Sequence, residues 1–173
     1  MNLILTCPRH YENEARREVK KFLNEFGDEN PEFNITNMPG IITVKTSLNP
    51  INIIEKIREK ILDEPWSVRY CQRIIPIQSV CATDIKEIKD EIQNKIKVFK
   101  PEDSFRITIE KRNSKISSHE IISEIAKDIS NKVSLDNPDW VILIEIIEEE
   151  TGIAVIPNNT ILSVEKVKRS LSD

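Results

Sequence analysis

Two short basic segments are the residues whose types and spacing predict binding of an anionic ligand. The first follows an alternating apolar and polar stretch and comes just before Ser117-Ser118-His119-Glu120, which has the S-x-x-E form of a helix-starting capping box. Helix N-termini carry partial positive charge and unpaired N–H groups, and one arginine side chain can donate two parallel hydrogen bonds to the oxygens of one phosphate. The segment therefore predicts either a phosphate or sugar-phosphate site, or a solvated loop whose cations only aid solubility. Its members are Lys111, Arg112, Asn113, Ser114 and Lys115.

The second basic segment joins the two halves of the chain and contains Arg69, Tyr70, Gln72 and Arg73. If it is a strand, the two arginines share one face, because alternate residues point to the same side of a sheet. A basic stripe beside an aromatic ring suits single-stranded RNA, whose phosphates need cations and whose bases stack. The alternative is that both arginines pair with surface carboxylates.

The sequence offers no residues that predict catalysis, a cofactor or a metal. It has no GxxxxGK[ST], GxGxxG, HExxH or GxSxG motif, and its three glycines argue against a phosphate-cradling loop. Cys7, Cys71 and Cys81 are odd in number and widely spaced, which predicts buried thiols rather than disulfides or a zinc site. We expect a protein that is not an enzyme, with Trp66 and Trp140 in the core.

The composition allows RNA binding only through a local surface. The chain has 173 residues, with 25 Lys and Arg against 29 Asp and Glu, so its net charge of −4 excludes a uniformly basic binder. No apolar run approaches the roughly 20 residues of a membrane span, and the first residues lack a signal-peptide pattern. We expect a cytoplasmic protein without a membrane partner.

The first half alternates strands and helices in the order β-α-β-β-α-β, which predicts a ferredoxin-like domain over residues 1–74. Both helices show apolar residues at helical spacing, and Gly27 and Pro65 are placed to end them. The predicted elements are a strand at 3–7, a helix at 12–26, strands at 33–36 and 41–46, a helix from Pro50, and an extended stretch at 66–75.

The second half, residues 75–173, has the order α-β-α-β-β, and the whole chain is predicted to be α+β. Apolar spacing gives a helix at about 84–97, and alternation gives a half-buried strand at 105–110. A second helix runs from the capping box through Ile129 and Val133, before a central strand at 140–144 and a returning strand at 153–156. The residues after Ile156 are expected to be partly loose.

Several segments of the second half resemble the THUMP domain. They are the stretch 105–113 (FRITIEKRN), the stretch 118–122 (SHEII), the stretch 132–139 (KVSLDNPD) and the stretch 141–146 (VILIEI). The run is most similar to the stand-alone tRNA acetylation adaptor branch of archaea and eukaryotes, as are RYCQRIIPIQSVCA at 69–82 and the opening Leu5-Thr6-Cys7. The aromatic C-terminal motif of that branch is not evident in residues 158–173.

This resemblance implies a ferredoxin-like domain followed by an α/β THUMP domain that grips the acceptor stem and 3′ end of tRNA. It implies that Lys111, Arg112 and Asn113 contact RNA and that Arg69 and Arg73 are basic positions between the domains. Most family members carry a fused catalytic domain, for which we expect no room here. The adaptor branch instead presents tRNA to a separate acetyltransferase that makes N4-acetylcytidine, so that enzyme is the expected partner.

Two other functions stay open at this point. The chain could be the RNA-binding subunit of another split tRNA-modifying enzyme, for thiolation or methylation. From a different class, its net acidity fits a ferredoxin-like regulatory or oligomerisation module.

Overall fold

The chain forms two compact units, which a computed structural model describes over residues 1–172. The first unit comprises Met1–Ile77 and the C-terminal segment from Asn159 onward, and the second comprises Gln78–Asn158. The architecture is α+β, with one five-stranded sheet in each unit.

The first unit has the predicted β-α-β-β-α-β order, and its first four strands lie side by side in the order β4-β1-β3-β2 of a ferredoxin-like fold, with a fifth, C-terminal strand beside β4. All of its strand pairs are antiparallel. Its elements are β1 (Leu3–Thr6), α1 (Glu12–Glu25), β2 (Glu32–Ile35), β3 (Ile41–Lys45), α2 (Pro50–Asp63) and β4 (Arg73–Pro76).

Helices α1 and α2 form because one face of each is apolar. Helix α1 buries Ala15, Val19, Phe22 and Leu23. Helix α2 begins at Pro50, where the side chain of Asn49 accepts hydrogen bonds from the N–H groups of Ile51 and Asn52. The core of the first unit lies between these apolar faces and the sheet.

The C-terminal segment belongs to the first unit, which differs from the predicted boundary of 1–74 and 75–173. Strand β10 (Leu162–Ser163) pairs with β4, and α5 (Val164–Arg169) follows it with Ser163 as its N-cap. The expectation of a partly loose tail is wrong here because Leu162, Val164 and Val167 are buried in the first core.

The second unit is a mixed sheet in the order β5-β9-β8-β6-β7, with helices α3 and α4. Strand β6 runs parallel to β7 and β8, while β9 is antiparallel to β8 and β5. Its elements are β5 (Ser79–Ala82), α3 (Ile85–Lys95), β6 (Ser104–Arg112), α4 (Ser118–Ala126), β7 (Lys132–Val133), β8 (Trp140–Ile147) and β9 (Glu150–Pro157).

Three local predictions need correction. Helix α4 ends at Ala126, because Val133 pairs with Phe105 in the short strand β7 rather than continuing the helix. Residues 66–75 are not one extended stretch, because Pro65–Ser67 form a 3₁₀ turn and β4 starts only at Arg73. Strand β6 continues through Lys111 and Arg112, which were expected in a loop.

The cysteines are consistent with the sequence analysis in being free thiols. Cys7 and Cys71 are buried and Cys81 is half-buried. Burial, followed by the negative charges of Glu12, Glu14 and Glu18, raises the pKa of Cys7 to about 11. At neutral pH this thiol therefore stays protonated.

Asp28 is a buried carboxylate that fixes the chain after α1 to the end of β3. It accepts hydrogen bonds from the Thr46 hydroxyl at 2.6 Å, the Ser47 N–H at 3.0 Å and the Asn30 N–H at 3.1 Å. Burial by itself raises the pKa of Asp28, but these hydrogen bonds outweigh it and the pKa is lowered.

We predict that Asp28→Asn lowers the free energy of unfolding by about 1–3 kcal/mol at pH 7. Because the pKa is lowered in the folded state, this stabilisation is present above the ordinary pKa of about 3.9 and is lost as the pH falls through the folded value. Urea denaturation of both proteins at pH 7 and at about pH 3 measures it. A stability difference that did not shrink in acid would contradict this role of the carboxylate.

Candidate nucleic-acid interface

The basic segment at 111–115 closes into a tight turn at the end of β6, directly before α4. The Lys111 ammonium donates to the Ile116 carbonyl at 2.9 Å, and the Ile116 N–H donates to the Ser114 hydroxyl at 3.4 Å. The hydroxyl of Ser117 then caps α4 by accepting from the Glu120 N–H at 3.2 Å, as the capping box predicted. The turn thus places Lys111 beside the start of α4.

Arg112 has a different role from the predicted one. Its guanidinium donates to the carboxylate of Glu145 on the neighbouring strand β8 at 2.6 Å. Glu145 is fully buried and the Arg112 side chain is mostly buried. An arginine held in this way is not presented to a phosphate, so it positions the strand end instead.

Asn113 connects the same strand end to the hairpin between β8 and β9. Its amide donates to the Glu148 carboxylate at 3.2 Å, and the Glu148 N–H donates to the Arg112 carbonyl at 2.9 Å. Both Asn113 and Glu148 adopt positive φ angles, 52° and 56°. Two residues in this uncommon conformation, joined to each other, hold the turn in one shape.

The cations left exposed at this turn are Lys111 and Lys115. Neither has a carboxylate within ion-pair distance in the part of the chain that the structure describes. Some other lysines of the unit are neutralised, as when Lys89 pairs with Asp128 and Glu124 and so has a raised pKa, through its hydrogen bond with Asp128 first. Among the described residues, Lys86 and Lys97 are also exposed and without an ion pair. What distinguishes the turn is its place, because it puts two unpaired positive charges close together just before the start of α4.

Arg69 and Arg73 do not share a strand face, which corrects the prediction for the second basic segment. Arg69 is exposed and lies in the bend before β4, with its guanidinium 5.7 Å from the centre of the Tyr70 ring. Arg73 is half-buried at the first position of β4, opposite Thr6 of β1 and Ser163 of β10.

Two aromatic residues of the first unit lie where the sequence does not place them. The predicted core position of Trp66 is wrong, because Trp66 sits on the 3₁₀ turn Pro65–Ser67 and is 76% exposed. The ring of Tyr11 stacks on Tyr70 with the ring centres 4.7 Å apart, a contact that no pattern in the sequence predicts. Trp140 does pack with the core of the second unit, donating from its indole to Asp103.

Within residues 1–172, no three His, Cys, Asp or Glu side chains converge in a way that could hold a metal ion. No helix in this described part is long and apolar enough to cross a membrane.

Comparison with known proteins identifies the domain that carries the 111–115 turn. The sequence of residues 82–156 matches the THUMP domain family. These residues form a THUMP domain. It coincides with nearly all of the second unit and contains β6, the turn and α4.

Similar proteins extend beyond the THUMP domain on both sides. An uncharacterised protein of Methanocaldococcus jannaschii is 24% identical over 98% of this chain and 45% of its own length. A crystal structure from Pyrococcus horikoshii has a TM-score of 0.63 and 20% identity, covering 90% of this chain and 54% of that one. A 4-thiouridine synthetase solved with RNA and ATP has a TM-score of 0.53 and 14% identity, covering 92% and 44%.

The two solved structures share the fold of both units. The chain spans about half the length of the proteins it matches.

We predict that Arg112→Met destabilises the THUMP domain by roughly 3 kcal/mol, because it removes the guanidinium from a fully buried carboxylate. The double variant Arg112→Met with Glu145→Leu should recover most of that loss. Chemical denaturation of the three proteins measures it. A double variant less stable than the single one would show that the ion pair does not act as a unit.

Proposed function

We propose that this protein is a non-catalytic tRNA-binding protein that grips the acceptor stem and 3′ end of tRNA and presents it to a separate modifying enzyme. The observation that carries the proposal is the THUMP domain, whose turn leaves Lys111 and Lys115 exposed and unpaired. THUMP is an RNA-binding domain, which supports tRNA binding in tRNA modification. The RNA in the complex of the similar 4-thiouridine synthetase agrees with this.

The chemistry of the turn suits a phosphate backbone rather than a base sequence. Lys111 uses one of its three N–H donors on the Ile116 carbonyl and keeps two for a ligand. The hydroxyls of Ser114 and Ser118 and the N-terminal end of α4 lie in the same short segment. Contacts of this kind fix the position of an RNA, and they weaken as salt rises.

The net negative charge limits binding elsewhere on the surface. Because acidic residues outnumber basic ones, most of the surface repels RNA, and an RNA binds only where cations remain unpaired. The protein then acts by geometry, holding one end of a tRNA so that a distant nucleoside reaches the active site of the partner.

The specific reaction we propose is N4-acetylcytidine formation by a separate tRNA cytidine acetyltransferase in the cytoplasm. This rests on the resemblance of residues 105–113 and 132–139 to the acetylation adaptor branch. Loss of N4-acetylcytidine from the tRNA of a deletion strain is the expected result. Loss of a thiolated or methylated nucleoside instead would assign the protein to a different enzyme.

The direct test of RNA binding replaces the two exposed lysines and not Arg112, because Arg112→Glu would place two carboxylates together in the core. We predict that Lys111→Glu with Lys115→Glu lowers tRNA affinity at least tenfold and makes its salt dependence shallower, by about 0.7–0.9 in log-log slope per lost phosphate contact. Filter binding of tRNA at several salt concentrations measures both.

The matched control is Lys86→Glu with Lys97→Glu, which reverses the same number of exposed charges elsewhere in the second unit. Equal loss of affinity in both double variants would show that only net charge matters and would remove the turn from the proposal.

One observation favours a second candidate, an RNA-binding subunit of a split thiolating or methylating enzyme. A 4-thiouridine synthetase shares the fold of both units and is about twice as long as the part matched here. The nucleoside analysis described above separates this candidate from acetylation.

A further inference from the structure

The first unit carries an aromatic stack whose outer ring is open to solvent. Tyr11 and Tyr70 lie with their ring centres 4.7 Å apart and their planes 14° from parallel. Tyr11 is 43% exposed although one of its faces is covered by Tyr70. Its other face is therefore accessible to a further flat group.

The position of Tyr11 is not explained by helix formation. It is the N-cap residue of α1, where Ser, Thr, Asp or Asn would be favoured, and its side chain caps no N–H group. His10, the residue before it, has a positive φ of 76°, a conformation that few residues other than glycine adopt. The Tyr11 ring therefore takes no part in starting the helix.

The backbone beneath the stack is held by a carboxylate of α1. Glu18 accepts hydrogen bonds from the N–H groups of Arg69, Tyr70 and Cys71, at 3.0 Å for Tyr70 and 2.9 Å for Cys71. From the C-terminal side, the Lys168 ammonium donates to the Val68 carbonyl. Tyr70 is thus fixed before any ligand arrives, and the negative charge of Glu18 is turned inward.

The exposed cations of α1 and of the segments that carry Tyr11 and Tyr70 have no ion pairs among the described residues. Arg17, Lys20 and Lys21 are exposed neighbours on α1, because residues three and four apart lie side by side on a helix. Lys21 lies one turn from Glu18, whose carboxylate binds the Arg69–Cys71 segment. Arg9 precedes the stack and Arg69 lies over Tyr70. In the described residues, none of these five cations has a carboxylate within 4 Å.

Three of the four acids of α1 are engaged by groups other than these cations. Glu12 accepts from the Gly40 N–H, and that hydrogen bond is the main cause of its lowered pKa. Glu25 pairs with Lys60, and Glu18 is bound as described. Glu14 is half-buried. The first unit thus combines an exposed aromatic ring with Arg69 over its partner ring and with unpaired cations on α1, and cations with an aromatic ring are the combination that binds single-stranded nucleic acid.

We propose that the first unit binds an unpaired nucleotide of the RNA, with the base stacked on Tyr11 and the flanking phosphates on Arg17, Lys21 and Arg69. This inference rests on the proposed function, since it requires that the protein bind RNA. It assigns to the first unit a binding site of its own, separate from the lysines of the THUMP domain. An acceptor end supplies such a nucleotide because its 3′ terminus is single-stranded.

The test compares two RNA hairpins with the same duplex, one blunt and one with a four-nucleotide single-stranded 3′ extension. Wild-type protein should bind the extended hairpin more tightly. Tyr11→Ala should weaken binding of the extended hairpin by about 5- to 150-fold, the range for one stacked base, and leave the blunt hairpin unaffected. Tyr11→Phe should retain wild-type affinity, since it keeps the ring.

The charge arm uses Arg17→Glu with Lys21→Glu, which should weaken the extended hairpin more than Lys45→Glu with Lys166→Glu, a double reversal at exposed sites elsewhere in the first unit. A 2-aminopurine in the extension should be quenched when wild-type protein binds and not when Tyr11→Ala binds. The fluorescence test does not depend on the stability of the variant, because quenching by the wild-type protein alone reports stacking.

The outcomes separate the two proposals. Tight and equal binding of both hairpins by wild type and Tyr11→Ala, without quenching, overturns the stacking site and leaves the proposed function standing. Failure of wild-type protein to bind either hairpin or tRNA overturns the proposed function itself.

Discussion

The buried ion pair between Arg112 and Glu145 is the interaction on which the THUMP-domain surface depends. It joins the end of β6 to β8, and it engages Arg112, which is the arginine of the 111–115 turn. Because the Arg112 guanidinium is bound to a buried carboxylate, the end of β6 is fixed in position. Lys111 and Lys115 are therefore held by a rigid part of the structure. The charges available to RNA are those that the interior does not use.

In the first unit, too, the fold separates paired charges from exposed ones. Its helix α1 has as many acids as bases, and a sequence count alone would call it neutral. The fold turns Glu12, Glu18 and Glu25 toward N–H groups or Lys60, while Arg17, Lys20 and Lys21 stay exposed. A chain with a net charge of −4 can in this way present positive surfaces, because the location of unpaired charge, and not the total, decides where a phosphate binds.

The sequence predicted features that depend on near neighbours. The order of elements in the first unit followed from helical spacing, and the start of α4 from the Ser117 capping box, since both are local patterns. Contacts between distant residues escaped prediction. Glu145 lies 33 positions after Arg112, and only the parallel register of β6 with β8 brings them together. The residue type of Trp66 favours the core, but the turn Pro65–Ser67 leaves it exposed. No local pattern predicts that Leu162 returns to pair with the first sheet.

In the proposed function, unpaired cations on a rigid scaffold hold the end of a tRNA. Ultraviolet crosslinking of the protein to intact tRNA, with both the nucleotides and the peptides identified, tests it most directly. The account predicts crosslinks from the 3′-terminal nucleotides and acceptor stem to peptides containing Lys111–Lys115. Crosslinks confined to the anticodon arm, or to peptides remote from that turn, would contradict it.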